Sequence, residues 1–144
     1  RADNYQSGSG NCCRICGYEI EVEKFDAVIL PGGYPGYVNL GRDGRVLDAV
    51  RSAFALGKVV AAICGAPSVL AKAGLLSGKK ATIYPGMERE LTGAKAVNKR
   101  VVVDGQIITS RGPGTAVEFA VTVAAILAGE KRARALKDEL VATF

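Results

Sequence analysis

The sequence predicts an α/β fold whose mainly parallel sheet is covered on both faces, and three observations carry that prediction. "DAVIL" (26–30) and "KVVAAIC" (58–64) are short apolar runs without polar alternation, as strands buried on both faces are. Each run leads into a turn rich in glycine or proline and then into a stretch with helical spacing, the rhythm of βα units. "RVVVDGQIITS" (100–110) holds two β-rich runs around Asp104-Gly105. That dipeptide suits the positive φ angles of a type I′ turn, so an antiparallel hairpin is expected there.

The elements follow in order. Residues 1–10 are polar and rich in Gly and Ser, hence expected to be loose. Residues 1–23 read as an irregular N-terminal segment and 24–144 as the domain proper. Asp43 offers a helix N-cap, Val46, Leu47, Val50 and Phe54 follow at helical spacing, and Gly57 stops the helix. "APSVLAKAGLL" (66–76) predicts a second helix with Gly74 near its end, and "KKATIY" (79–84) a third strand broken by Pro85. Thr115 and Glu118 have the spacing of a capping box opening a helix over 115–128, closed by Gly129. Val117, Phe119, Val121, Val123, Ile126 and Leu127 leave that helix little polar face, so it is expected to be buried within the domain or against a partner. A last helix, 130–141, is charged on one side.

The totals exclude several classes. At 144 residues the chain is one domain with room for a core. No apolar run reaches the ~18 residues of a membrane span, and "RADNYQSGSG" has no signal-peptide core. The net charge of +5 is scattered, and "EKRARALKDEL" mixes acids with bases, so neither nucleic acid nor membrane is expected as a partner. Cys12, Cys13, Cys16 and Cys64 do not form a spaced disulfide framework, which favours a reducing compartment and a cytoplasmic location. Cys13-x-x-Cys16 has half the spacing of a zinc ribbon but no second pair and no histidine, so the cluster reads as incidental; no metal and no cofactor are expected.

Cys64 is the candidate nucleophile. It ends a buried strand, small residues (Gly65, Ala66) follow, and a helix begins, which is how a strand-to-helix elbow lifts a side chain above a sheet. Ligands of such sheets bind beyond the carboxyl ends of the strands, where Gly32, Gly33 and Cys64 all fall. A helix end aimed at a thiol favours its ionised form without a histidine, and the chain contains none. A Cys–His dyad is therefore impossible within this chain, and any proton shuttle is a carboxyl group, a tyrosine or water. The Gly65 N–H and an N–H of the Gly32-Gly33 turn are candidates for holding an oxyanion. The competing reading makes Cys64 a small buried hydrophobe.

"DAVILPGGYPG", "VVAAICGAP", "KATIYPG" and "VVVDGQIITSRGPGTAVEFA" occur in order. Together they resemble the ThiJ/PfpI superfamily, in the branch that holds the Parkinson-disease-associated protein and the protein deglycases or glutathione-independent glyoxalases. The resemblance covers about residues 24–142. It implies a flavodoxin-like three-layer sandwich, commonly a homodimer. It implies that Cys64 is the elbow cysteine, both nucleophile and oxidation sensor, and that Gly33 and Gly65 match the oxyanion amides. By the same resemblance Ser110, Arg111 and Pro113 border the site, and Tyr84 stands where some members carry a histidine. Gly65 stands where peptidase-like members have histidine, which argues against a protease. The family opens with a strand and a Gly-x-Glu-Glu-type segment whose glutamate pairs with the cysteine, then a helix; that strand and helix are missing here. "ICGYEIE" offers Gly17 and Glu19 in similar order, too close to the Asp26 strand to leave room for the helix. Glu19 is thus a weak candidate for the acid, and the expected source is a segment outside these 144 residues. The implied function is Cys64-dependent chemistry on small reactive dicarbonyls or glycated adducts. The alternative is a non-enzymatic redox-sensing stress protein or holdase chaperone.

Overall fold

The computed structural model describes residues 21–144; the readings placed on Cys12, Cys13, Cys16 and Glu19 lie outside the described residues. Four strands form the main sheet: β1 (Ala27–Leu30), β2 (Val59–Ile63), β5 (Val101–Asp104) and β6 (Ile107–Ser110), in the order β1-β2-β6-β5. β1, β2 and β6 are mutually parallel, while β5 runs antiparallel to β6. Register pairs Leu30 with Ala62 and Ile63 with Ser110, so three strands end on one edge. A short parallel pair, β3 (Lys80–Ala81) and β4 (Lys95–Ala96), stands apart.

Helices cover both faces, as the unbroken apolar strands require. On one face lie α1 (Gly36–Leu40), α2 (Gly44–Ala55) and α3 (Pro67–Lys72). There Val60 and Ala62 of β2 share a core with Leu30, Val50, Leu70 and Ile107. On the other face Val59 and Ala61 meet Ile108 and, from α4 (Ala116–Ala128), Phe119 and Val123. Fully burying a side chain such as Leu70 or Ile107 stabilises the fold by about 1.5–3 kcal/mol. The last helix, α5 (Glu130–Glu139), packs on α4. Val22, within the segment expected to be irregular, is buried in the first core at the start of a 3-10 turn (Val22–Lys24).

The caps of α2 form as expected: the Asp43 carboxylate accepts the Arg45 N–H at 2.9 Å, and Gly57 follows the C-cap with φ 74°. Three local expectations are corrected. The hairpin turns on Gly105-Gln106, because Asp104 already pairs with Ile107. Only Gly105 has positive φ (63°), which is the type II′ pattern rather than type I′. The strand expected over 79–84 shrinks to Lys80–Ala81, for the Thr82 N–H donates to the Thr109 side-chain hydroxyl at 3.0 Å and leaves the ladder. The capping box at Thr115 and Glu118 does not form. Thr115 Oγ1 bonds to Ser110 Oγ and to the Gly112 backbone, and Glu118 pairs with Arg100 at 2.6 Å. α4 is buried along Phe119, Val121 and Val123, whereas Val117, Ile126 and Leu127 remain nearly half exposed. No helix among the described residues is long and apolar enough to cross a membrane.

Candidate functional site

Three chain segments meet at the carboxyl edge of the sheet: Pro31-Gly32-Gly33 after β1, Cys64-Gly65-Ala66 after β2, and Ser110-Arg111-Gly112 after β6. Cys64 sits in the left-handed region, φ 66°, where a residue with a Cβ is held at a cost of about 1–2 kcal/mol. The surroundings hold it there. Its N–H donates to Ser110 O at 3.0 Å and its C=O accepts the Tyr84 N–H at 2.9 Å. The side chain is half-buried, so solvent reaches the bend, and the thiol is free.

Glycine is demanded on both sides of the cysteine by space. A Cβ on Gly32 would lie 2.5 Å from Cys64 Cβ and 3.3 Å from Cys64 Sγ, which places the sulfur directly against the Gly32-Gly33 turn. A Cβ on Gly65 would fall 2.7–2.9 Å from the ring of Tyr37, which comes from α1 and covers that glycine. Tyr37 did not stand out in the sequence. Its partner is far along the chain, and an aromatic in "GYPGYVNL" carries no periodic signal of such a contact.

The helix end following Cys64 differs from expectation. Ala66 N–H donates to Ile63 O, Pro67 has no N–H, and Ser68 N–H donates to Gly65 O, leaving few free donors in the first turn of the six-residue α3. Among the described residues the N–H groups of Gly32, Gly33 and Gly65 find no acceptor. No carboxyl group among the described residues is hydrogen-bonded to Cys64 Sγ.

The remaining expected site residues divide. Tyr84 is exposed beside the bend, its backbone bonded to Cys64 and its ring 3.2 Å from where a Gly112 Cβ would stand. Ser110 uses its carbonyl on Cys64 and its hydroxyl on Arg100 O (2.9 Å) and Thr115, so it buttresses the bend from behind. Pro113 is exposed and starts the 3-10 turn ahead of α4. The Arg111 side chain donates to Asn98 Oδ1 and lines a separate cavity with β3 and β4 residues.

Fold and site together define a class: an α/β protein with helices on both faces and a strained, solvent-reachable cysteine at a strand-to-helix elbow. The DJ-1/PfpI family profile matches residues 6–126, and the chain belongs to that family. It is 44% identical over 128 residues to Drosophila melanogaster "Protein dj-1beta", covering 88% of this chain and 68% of that protein. It is 41% identical over 98 residues to a Pyrococcus horikoshii protein named as a deglycase, covering 66% of this chain and 58% of the relative. The crystal structure of Drosophila melanogaster DJ-1beta superposes with a TM-score of 0.81 at 46% identity, over 85% of this chain and 67% of the other. That of oxidized Toxoplasma gondii DJ-1 gives 0.80 at 32% identity, over 85% and 67%. The chain therefore spans about three fifths to two thirds of these relatives. Their shared architecture supports the flavodoxin-like sandwich expected from the sequence.

Proposed function

We propose that this protein is a cysteine-dependent enzyme acting on small reactive dicarbonyls or on the early adducts they form with amines. The observation that carries the reading is the left-handed, solvent-reachable Cys64 with its sulfur against the Gly32-Gly33 turn. The deglycase name of archaeal relatives supports it. With a methylglyoxal-like substrate, the Cys64 thiolate adds to the aldehyde carbon and the oxygen takes up a proton, giving a hemithioacetal. The amides of Gly33 and Gly65 stabilise the oxyanion before that proton arrives. The C1 proton then leaves and a proton is delivered to C2, turning the hemithioacetal into a thioester of a 2-hydroxy acid. Water cleaves the thioester, releasing lactate and restoring the thiol. The base for the C1 proton comes from outside the described residues. The protein acts as a homodimer in a reducing, cytoplasmic setting, and the half-exposed Val117, Ile126 and Leu127 of α4 offer apolar surface for association.

The test is D-lactate formation from methylglyoxal by the protein, together with the segment that supplies the base, and by its Cys64→Ala variant. The reading expects turnover by the first and a loss of about 10³-fold or more in the second. Equal rates, or no turnover by the unaltered protein, overturn it. A second reading is a redox sensor in which Cys64 is oxidised to the sulfinic acid; a relative crystallised in an oxidized state favours it. Selective gain of two oxygens at Cys64 in mild peroxide, without lactate formation, decides for the sensor.

A further inference from the structure

A cavity of about 150 Å³ lies between the β3–β4 pair and the 3-10 turn at Glu88–Glu90. None of Cys64, Gly65 and Ala66 lines it; Arg111, from the segment after β6, does. Its walls are aliphatic, from Ala81, Ile83, Leu91 and Val97, and two opposite charges, Arg111 and Glu88, also line it. Asn98 Oδ1 accepts from Arg111 Nη1 and so steadies the guanidinium, which has five N–H donors in all. Glu88 Oε1 accepts the Gly86 N–H at 3.2 Å. Its carboxyl is held below the ordinary range, first by the Glu88 backbone N–H, then by the Gly86 N–H, with the nearby Arg111 charge adding to both. Yet Arg111 and Glu88 form no ion pair with each other. An acid and a base close enough to feel one another, left apart over an aliphatic hole, are complementary to a molecule that carries both charges on one carbon.

We propose that this cavity binds a free α-amino acid with a short aliphatic side chain. The ligand carboxylate meets the Arg111 fork, its ammonium meets Glu88, and its side chain enters between Ile83, Leu91 and Val97. A plain carboxylic acid serves Arg111 but sets its charge beside Glu88, and a plain amine does the reverse. The volume matches a benzene-sized guest, which admits valine or leucine and excludes tryptophan.

The experiment is an amide-resolved NMR titration of the ¹⁵N-labelled chain with L-valine, isovalerate, isobutylamine and L-tryptophan. L-valine is expected to give saturable shifts at Thr82, Val97 and Asn98, with isovalerate and isobutylamine at least about tenfold weaker and tryptophan silent. Arg111→Met and Glu88→Gln each weaken valine about tenfold or more, whereas Glu88→Gln does not weaken isovalerate. Glu88→Gln is isosteric and exposed, so it decides even where Arg111→Met unfolds the protein. Equal affinity for valine and isovalerate, valine binding unchanged in Glu88→Gln, or no shifts up to about 20 mM valine overturns the proposal.

Discussion

Two turns at the same edge of the sheet are built by opposite means. The bend after β2 has one side-chain hydrogen bond, from Ser68 Oγ to Gly65 O at 2.7 Å; Cys64 itself is fixed by its own backbone and by the absence of side chains on Gly32 and Gly65. The turn after β6 is held by side chains: Ser110 to Thr115, Thr115 to Gly112, and Arg100 to Glu118 and Gly114. A reactive side chain needs room and a fixed direction, and bare backbone supplies both. A supporting turn can be crowded with polar contacts because no reacting atom has to be reached there. The first turn is therefore vulnerable to added volume, and the second to deleted hydrogen bonds.

The largest effect on this contrast is expected from Gly32→Ala. The new methyl would stand 2.5 Å from Cys64 Cβ, so the bend must shift; a loss of about 3 kcal/mol in urea unfolding and a much slower reaction of Cys64 with iodoacetamide are expected. Gly65→Ala comes next, at about 2 kcal/mol, because its obstacle is a side-chain ring. Adding Tyr37→Ala should return part of that loss, and a double-mutant cycle by chemical denaturation measures the coupling. Thr115→Val tests the other turn. It removes the hydroxyl shared by Ser110 and Gly112, for an expected loss of about 1–2 kcal/mol with Cys64 alkylation little changed.

The smallest effect lies farther off. The Asp104 carboxylate accepts the Lys80 N–H at 2.8 Å, and that bond, with the Lys79 and Lys80 charges nearby, holds its carboxyl below the ordinary carboxylate range. A carboxyl lowered in the folded state contributes stability above its unfolded value and loses it as pH falls through the folded one. Asp104→Asn should therefore flatten the acid limb of a melting-temperature profile below about pH 4 and lower stability modestly at pH 7.

Much of this arrangement was legible in the sequence because it rests on patterns of one residue type. The unbroken runs at 26–30 and 58–64 located β1 and β2, and Asp43 and Gly57 bounded α2. The small residues after Cys64 located the elbow. What stayed hidden depends on choices between partners. Thr115 had a capping role open to it in sequence, but Ser110 and Gly112 were nearer in space. The family resemblance set Arg111 on the border of the site, and no pattern in the sequence announced its side-chain bond to Asn98. Tyr37 against Gly65 joins a helix and a turn that no local window contains.

Both peptide groups of Cys64 are engaged, one by Ser110 and one by Tyr84. The main chain at that residue is thus stitched to the end of β6 and to the turn at Tyr84 while the sulfur alone stays uncommitted. Whatever covalent history the sulfur accumulates, the peptide groups beneath it are already committed. A message written on this atom must travel outward, to a visitor at the surface, and not inward through the sheet.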